Sequence, residues 1–410
     1  MSNSNVLFET AENGNVEVVA DLLNNGVEIN QAMITNGATL LFIFAKKGNV
    51  DVVKLLLENN ADPNQATTDT GATPLYVAAQ EGHADCLELL LEHNAKPNQA
   101  RTDDGATPVF IAAQEGHADC LKLLLKHGAD INQAKTNGRV TPMFVAASQG
   151  HTEIVKLLLE NNADKNLATT DDGATPVYIA AYYGNTDCLK ILLDNNAEPN
   201  QATTDTGATP LFVAAQQGRA DCLELLLEHN ADPNQPRTDD GVTPLLAAAH
   251  QGYDEVVAKL LEHKADPNLA RTTYGNTPLH IAVSKGNTNI IRILMSHHAD
   301  MQQVNKEQKP ISPYNLAFKN RNREIIQLFR EIEREPPYRK EIKPPPPLSP
   351  PPPYEKIGRV AGLKRRKKTS KKGKKNKSVK KKKPNSAKRK NTRKKQKSVK
   401  KNKSVKKKKN

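Results

Sequence analysis

Between residues 71 and 104 the chain carries two short apolar stripes, each at helical spacing, separated by a glycine and followed by a polar run. Leu75, Ala78 and Ala79 form the first stripe. Cys86, Leu87, Leu90 and Leu91 form the second, with Glu88 and Glu92 on the opposite side. Thr73 is suited to cap the first helix, and Pro74 to its first position, where a missing N–H is no loss. Gly82 can take the left-handed conformation that ends this helix, and Asn94 can do the same for the second, over 84–93. The run 97–107 is polar, contains Gly105 and predicts an extended turn.

The same pattern recurs along most of the chain. Pro74, Pro108, Pro142, Pro176, Pro210, Pro244 and Pro278 lie 34 residues apart, each preceded by Thr. A fixed period of this order marks a solenoid, in which each unit buries its apolar face against its neighbours. The 410 residues therefore need no single central core.

Two antiparallel helices and a projecting turn, carrying Gly-x-Thr-Pro-Leu, Ala-Ala-x-x-Gly-His and Leu-Leu-Leu in that order, resemble the ankyrin repeat. The resemblance implies an all-α ankyrin-repeat solenoid. The phase of the Thr-Pro pair sets eight full repeats at 37–70, 71–104, 105–138, 139–172, 173–206, 207–240, 241–274 and 275–308. Residues 5–36 keep the helical pattern without Thr-Pro, as an N-terminal cap would, and 309–335 hold a degraded copy around Ser312 and Pro313. The period is 34 rather than the usual 33, with the extra residue in the finger between Asn98 and Gly105. The His of the family's Thr-Pro-Leu-His is Tyr76, Phe110, Phe144, Tyr178 and Phe212, and His280 keeps it; the rings are expected to pack between helices. Lys264 and His298 replace the helix-ending Asn or Gly, which costs about 1 kcal/mol or more at a left-handed position. The C-terminal repeats are expected to be the looser end.

Charge divides the chain. Residues 356–410 hold 30 Lys or Arg and no Asp or Glu, which leaves 29 basic against 45 acidic residues elsewhere. Three domains follow: the solenoid over 1–335, a Pro-rich linker over 336–355 and a disordered polybasic tail over 356–410. Eight of the ten residues 344–353 are proline, which predicts polyproline II. Pro351, Pro352 and Tyr354 match the Pro-Pro-x-Tyr ligand of WW domains. Lys364, Arg365, Arg366, Lys367 and Lys368 look like a nuclear localisation signal, and the tail as a whole would also bind nucleic acid or another polyanion by counterion release. An anionic-membrane tether is a further reading, as is a tail folded back on the acidic repeats.

In ankyrin arrays partners are usually held on a concave face by finger tips and by the two residues after Ala-Ala. Those helix positions carry Gln80, Glu81, Gln114, Glu115, Tyr182, Tyr183, Gln216 and His250, and the fingers carry Asp103, Asp171 and Asp239 among other aspartates. Carboxylates beside amides favour a protein partner with a basic surface, and the tyrosine pair is a natural anchor. His83 and Cys86 sit three apart, but a closed zinc site needs four ligands, and Ile154 and Val256 take the Cys position in other repeats. The sequence contains no phosphate-binding Gly-rich loop and no nucleophile–base set, so neither enzyme activity nor a cofactor is expected. Cys86, Cys120, Cys188 and Cys222 share one repeat position, too far apart for disulfides. With no 18-residue apolar stretch and no secretory pattern at the start, the expected location is cytoplasmic, nuclear or both, in a eukaryotic or host cell.

Overall fold

The computed structural model describes residues 16–33 and 35–334. The chain divides into two units, Met1–Lys343 and Pro344–Asn410, and every described residue lies in the first. The proline motif at 351–354 and the basic cluster at 364–368 lie outside the described residues.

Nineteen helices make up the regular structure among the described residues. Helix α1 (Val16–Asn24) comes first and nine pairs follow. These are α2 and α3 (Leu40–Lys47, Val50–Glu58), α4 and α5 (Pro74–Glu81, Ala84–Glu92), and α6 and α7 (Pro108–Glu115, Ala118–Lys126). Next come α8 and α9 (Pro142–Gln149, Thr152–Glu160), α10 and α11 (Pro176–Tyr183, Thr186–Asp194), and α12 and α13 (Pro210–Gln217, Ala220–Glu228). The last are α14 and α15 (Pro244–Gln251, Asp254–Glu262), α16 and α17 (Pro278–Lys285, Thr288–Ser296), and α18 and α19 (Pro313–Lys319, Arg323–Ile332). The first helix of each pair packs on its own second helix and on the first helices of the adjacent pairs.

This arrangement buries the first helix further than its stripe predicts. Tyr76 and Val77 are as inaccessible as Leu75, Ala78 and Ala79, and only Gln80 and Glu81 at the end of α4 are exposed. The second helix follows its stripe, with Cys86, Leu87 and Leu90 fully buried. All four cysteines are free and buried. Burial pushes the Cys86 thiol up to about 11 and the Cys120 thiol up to about 12, and raises Cys188 and Cys222 as well. At neutral pH they are protonated core thiols, not nucleophiles.

The capping residues act as their positions require. Thr73 Oγ1 accepts the Tyr76 N–H at 3.1 Å, and the bond recurs from Thr107 to Phe110 and from Thr209 to Phe212. Ser312 repeats it one residue out of phase, accepting from the Asn315 N–H. Asn94, Lys264 and His298 all take left-handed backbones, with φ of 66°, 66° and 65°.

The finger absorbs the extra residue in a closed loop. The Arg101 N–H donates to the Ala106 carbonyl at 2.9 Å, and the Gly105 N–H donates back to the Arg101 carbonyl at 3.1 Å. Successive fingers are joined by backbone: the Thr102 N–H donates to the Thr70 carbonyl and the Thr136 N–H to the Asp104 carbonyl, both at 2.9 Å. Gly71 is required twice over, since its φ is 72° and a Cβ there would lie 2.5 Å from Thr102 Oγ1. An asparagine ladder runs behind the fingers. Asn64 Oδ1 accepts the Lys96 N–H at 2.8 Å, Asn98 Oδ1 the Asp130 N–H at 2.7 Å, and Asn268 Oδ1 the Asp300 N–H at 2.7 Å.

Candidate partner-binding surface

The residues after the helix-ending glycines hold the stack in register, which accounts for the recurrent Gly-His. His83 Nε2 lies 3.1 Å from the Lys46 carbonyl, His117 Nε2 3.0 Å from that of Gln80, and His151 Nε2 2.9 Å from that of Gln114. In each case the ring N–H donates across the repeat boundary to the end of the preceding first helix. Asn185 does the same through Nδ2, to the Ala147 and Ser148 carbonyls at 2.7 and 2.8 Å. None of these four side chains caps its own helix, whereas Asn49, Asn287 and Asn322 do. The histidines of the His-x-x-Cys spacing are thus occupied by the backbone, and no cluster of metal-ligand type occurs among the described residues.

Of the proposed contact residues, Gln80, Glu81, Glu115 and His250 are exposed at the ends of first helices, and Gln114 and Gln216 are half-buried. Gln114 Nε2 donates to Glu115 Oε1 at 2.9 Å. Tyr182 and Tyr183, 38% and 50% exposed, meet edge to face with ring centroids 5.0 Å apart. The finger aspartates are less free than their sequence suggests. Asp103 pairs with Arg101 and Asp239 with Arg237. Asp104 accepts from Lys135 at 2.7 Å, and Asp240 from Arg271 at 2.9 Å. Asp69 and Asp205 turn back to the Thr70 and Thr206 N–H groups, and the Thr67 and Thr203 hydroxyls first, then the Thr70 and Thr206 groups, hold both carboxyls below their ordinary value. Asp171 is exposed and makes no such bond among the described residues. The Arg-Thr-Asp-Asp fingers carry their own counter-charge in Arg101 and Arg237 and meet another from the next finger.

Sequence reasoning missed a cleft of about 200 Å³ on the finger side of α14, lined by Phe212, Gln216, Val242, Leu246, Ala247, His250 and Ile281, with Arg237, Asp240 and Arg271 at its charged edge. It brings together two proposed contact residues, Gln216 and His250. Arg237 lies over the Phe212 ring at 5.4 Å, and Arg271 over Tyr274 at 5.5 Å. Arg271 Nε is buried and has no hydrogen-bond partner. Burial, then the fields of Lys285 and Arg271, lower the His250 pKa. The available signal was a departure from the repeat: Leu246 and Ala247 stand where residues 105–138 have Phe110 and Ile111, and Tyr274 stands where they have Gly138.

Comparison with known proteins agrees with this architecture. The family model described as ankyrin repeats (3 copies) matches residues 7–101, 94–169, 161–237 and 234–305. A search of curated proteins returned no match. Among solved structures, the human ASB11 ankyrin repeat domain is similar over its whole length and 56% of this chain, with 29% identity and a TM-score of 0.50. The likeness extends to 622 solved chains, so it identifies the fold rather than a partner. No helix among the described residues is long and apolar enough to cross a membrane. From the Thr-Pro caps to the paired helices and the family match across residues 7–305, the chain belongs to the ankyrin repeat family.

Proposed function

We propose that this chain is a scaffold or adaptor that holds a protein partner on the surface formed by the ends of the first helices and the finger tips. Ankyrin repeat domains are generally protein–protein interaction modules and typically non-enzymatic. The observation that carries this reading is the Tyr182–Tyr183 pair, two exposed rings in edge contact amid a row of amides and carboxylates. Clustered exposed aromatics supply contact area at low entropic cost and dominate interface energies. Glu81 and Glu115, exposed at first-helix ends, and Asp171, exposed on a finger, favour a partner segment with basic character. The polybasic segment 356–410 would then deliver the adaptor to the nucleus or to a polyanion, on the strength of its charge alone.

Affinity capture with the full chain tests the adaptor reading. Tyr182→Ala with Tyr183→Ala is expected to weaken capture of a protein partner about tenfold or more. The reading fails if that pair of changes leaves every captured protein in place while deletion of 356–410 releases them all. The 30 cations of that segment support a second reading, nucleic-acid binding through the tail. Such binding is expected to fall by orders of magnitude between about 50 and 200 mM salt, and a partner held by the repeats is expected to resist that change.

A further inference from the structure

Six of the first helices carry a phenylalanine or tyrosine at their third residue, and the residue 25 positions on, in the finger, decides how far that ring is covered. Arg101 lies over Tyr76 at 5.4 Å, Lys135 over Phe110 at 5.1 Å and Arg237 over Phe212 at 5.4 Å. These three rings are 2%, 3% and 2% exposed. Phe42, Phe144 and Tyr178 have Thr67, Thr169 and Thr203 in the cation's place, and all three are half-buried. Thr203 turns into its own finger, where Oγ1 accepts the Ala208 N–H at 3.1 Å and lies 3.1 Å from Thr206 Oγ1. The array thus leaves three ring faces without the cation that the other three hold.

Carboxylates single out Tyr178 among the three. A finger cation finds its partner on its own finger, as Arg101 does in Asp103 and Arg237 in Asp239, or on the preceding one, as Lys135 does in Asp104 at 2.7 Å. Beside Phe42 these two positions hold Asp69 and Asn36, and beside Phe144 they hold Asp171 and Gly138. Beside Tyr178 both are acidic, Asp205 on its own finger and Asp172 on the preceding one. Burial first, then Asp172 and Asp205, push the Tyr178 hydroxyl up to about 12, against the field of Arg237. Neither carboxylate makes an ion pair among the described residues; both accept from hydroxyls and N–H groups close by in sequence. Arg237 is already paired with Asp239 and Asp240. Asp205 is exposed and Asp172 half-buried, so a side chain arriving from solvent can reach them.

We infer that the Tyr178 ring, flanked by Asp172 and Asp205, receives an arginine side chain of a protein partner. The inference rests on the adaptor reading and deepens it. Arginine suits the place better than lysine, because its planar fork can lie on a ring and still bond carboxylates beside it. Arg101 shows the arrangement within this chain: it lies over Tyr76, its Nη1 donates to Tyr76 Oη at 3.3 Å, and it pairs with Asp103. Tyr182 and Tyr183 end the same helix, α10, so the segment that brings the arginine meets the exposed tyrosine pair as well. One buried cation in a fixed seat sets the register of that segment, which exposed charges along a surface do not.

Differential peptide display tests the inference. Random peptides are selected on the full chain and counter-selected on the full chain carrying Thr203→Arg and Thr206→Asp. The two changes leave the net charge unaltered and turn residues 203–208 into the sequence native to 101–106. The chain's own arginine is then expected to cover Tyr178 as Arg101 covers Tyr76, and the variant to melt at or above the wild-type temperature. Peptides held by residues 356–410 are retained by both proteins and cancel. The peptides that distinguish the two proteins are expected to carry arginine. Replacing it in a synthetic peptide by citrulline, its neutral isostere, is expected to weaken binding about tenfold or more. Tyr178→Leu, which places there the residue type native to 246 and keeps both carboxylates, is expected to weaken it severalfold. The inference is overturned if no peptide distinguishes the two proteins, if the distinguishing peptides lack arginine, or if the citrulline form or the Tyr178→Leu protein binds as well. Tyr182 and Tyr183 stay in place throughout. A captured partner that is lost with those two tyrosines but retained by the Thr203→Arg, Thr206→Asp protein overturns the inference and upholds the adaptor reading.

Discussion

Residues 71–104 and 207–240 are near-copies, differing at Tyr76/Phe212, Glu81/Gln217, His83/Arg219, Lys96/Asp232 and Ala100/Pro236. Their helices have the same limits within the repeat, their caps bond the same N–H groups, and their Arg-Thr-Asp-Asp fingers fold the same ion pairs. Yet the surfaces around them differ, because each is completed by the repeat that follows. The first copy is followed by Phe110, Ile111 and Lys135, with Lys135 over the Phe110 ring and bonded to Asp104. The second is followed by Leu246, Ala247 and Arg271, which leave a cleft and an unpaired guanidinium N–H. In a solenoid the surface is thus built at the junction between repeats, and a duplicated repeat does not carry a duplicated surface with it.

The strongest test of the comparison addresses the shared core. Leu87 and Leu223 occupy the same position and are both fully buried. Leu87→Ala and Leu223→Ala are each expected to cost about 2–5 kcal/mol through lost burial and a cavity. Urea denaturation is expected to give the two variants similar losses, since the residues around them in their own repeats are the same; a large difference would show that the adjacent repeats set the cost. A second test exchanges the junctions. Phe110→Leu with Ile111→Ala is expected to destabilise by about 2–4 kcal/mol, because it opens a cavity and removes the ring beneath Lys135. The reverse pair, Leu246→Phe with Ala247→Ile, is expected to be neutral or stabilising in thermal melts. If both pairs destabilise alike, the cleft is a tightly adapted feature of its own surroundings rather than a space left by smaller side chains.

The division between what was legible in the sequence and what was not follows the same line. Thr73, Pro74, Gly82 and Asn94 each act within one repeat, through local backbone geometry, and their roles could be read directly. The capping bond and the left-handed φ values are those their residue types require. The His83 bond to the Lys46 carbonyl spans 37 residues, and the Asn64 bond to the Lys96 N–H spans 32. Such bonds appear in sequence only as recurrence, without a stated partner. The cleft was harder still, since it depends on Phe212, Leu246, Arg271 and Ile281, drawn from three repeats. The finger aspartates show the opposite error: counted one by one they make an acidic row, but Arg101 and Arg237 in the same fingers offset part of it.

Two repeats beyond each near-copy start the ring position differs again, with Phe144 in one case and His280 in the other. His280 is buried; its Nδ1 lies 2.8 Å from Thr277 Oγ1 and its Nε2 2.9 Å from the Ile311 carbonyl. Burial lowers its pKa, with the Ile311 carbonyl and Glu307 acting the other way. A histidine depressed in the folded state contributes fully above its unfolded pKa of about 6.5, and that contribution is lost as the pH falls below it. The C-terminal repeats are therefore expected to melt at lower temperature at pH 5 than at pH 7.5, with the difference concentrated around 275–334 in hydrogen exchange. The repeats around Phe144 have no such residue at this position and are expected to show a smaller change.

The smallest expected effect concerns the two ion pairs that join neighbouring fingers, Lys135–Asp104 at 2.7 Å and Arg271–Asp240 at 2.9 Å. Asp104 is partly exposed; burial raises its pKa, but the bonds from Lys135 and the Ala106 N–H, with the field of Arg101, outweigh this and lower it overall. Its contribution is therefore present above the ordinary carboxylate value and lost as the pH falls through the folded value. Asp104→Asn is expected to cost about 0.2–1 kcal/mol at neutral pH, less in high salt, because exposed pairs are screened. Asp240→Asn leaves Arg271 a neutral amide oxygen in place of the one carboxylate it bonds among the described residues, and its Nε is already unpaired, while Lys135 has three rotatable donors that water can satisfy. The second substitution is thus expected to cost more than the first and to be the less salt-sensitive of the two in paired denaturation curves. If the order is reversed, solvent replaces Asp240 at the exposed end of Arg271, and the junction after 207–240 is held no more tightly by its ion pair than the junction after 71–104.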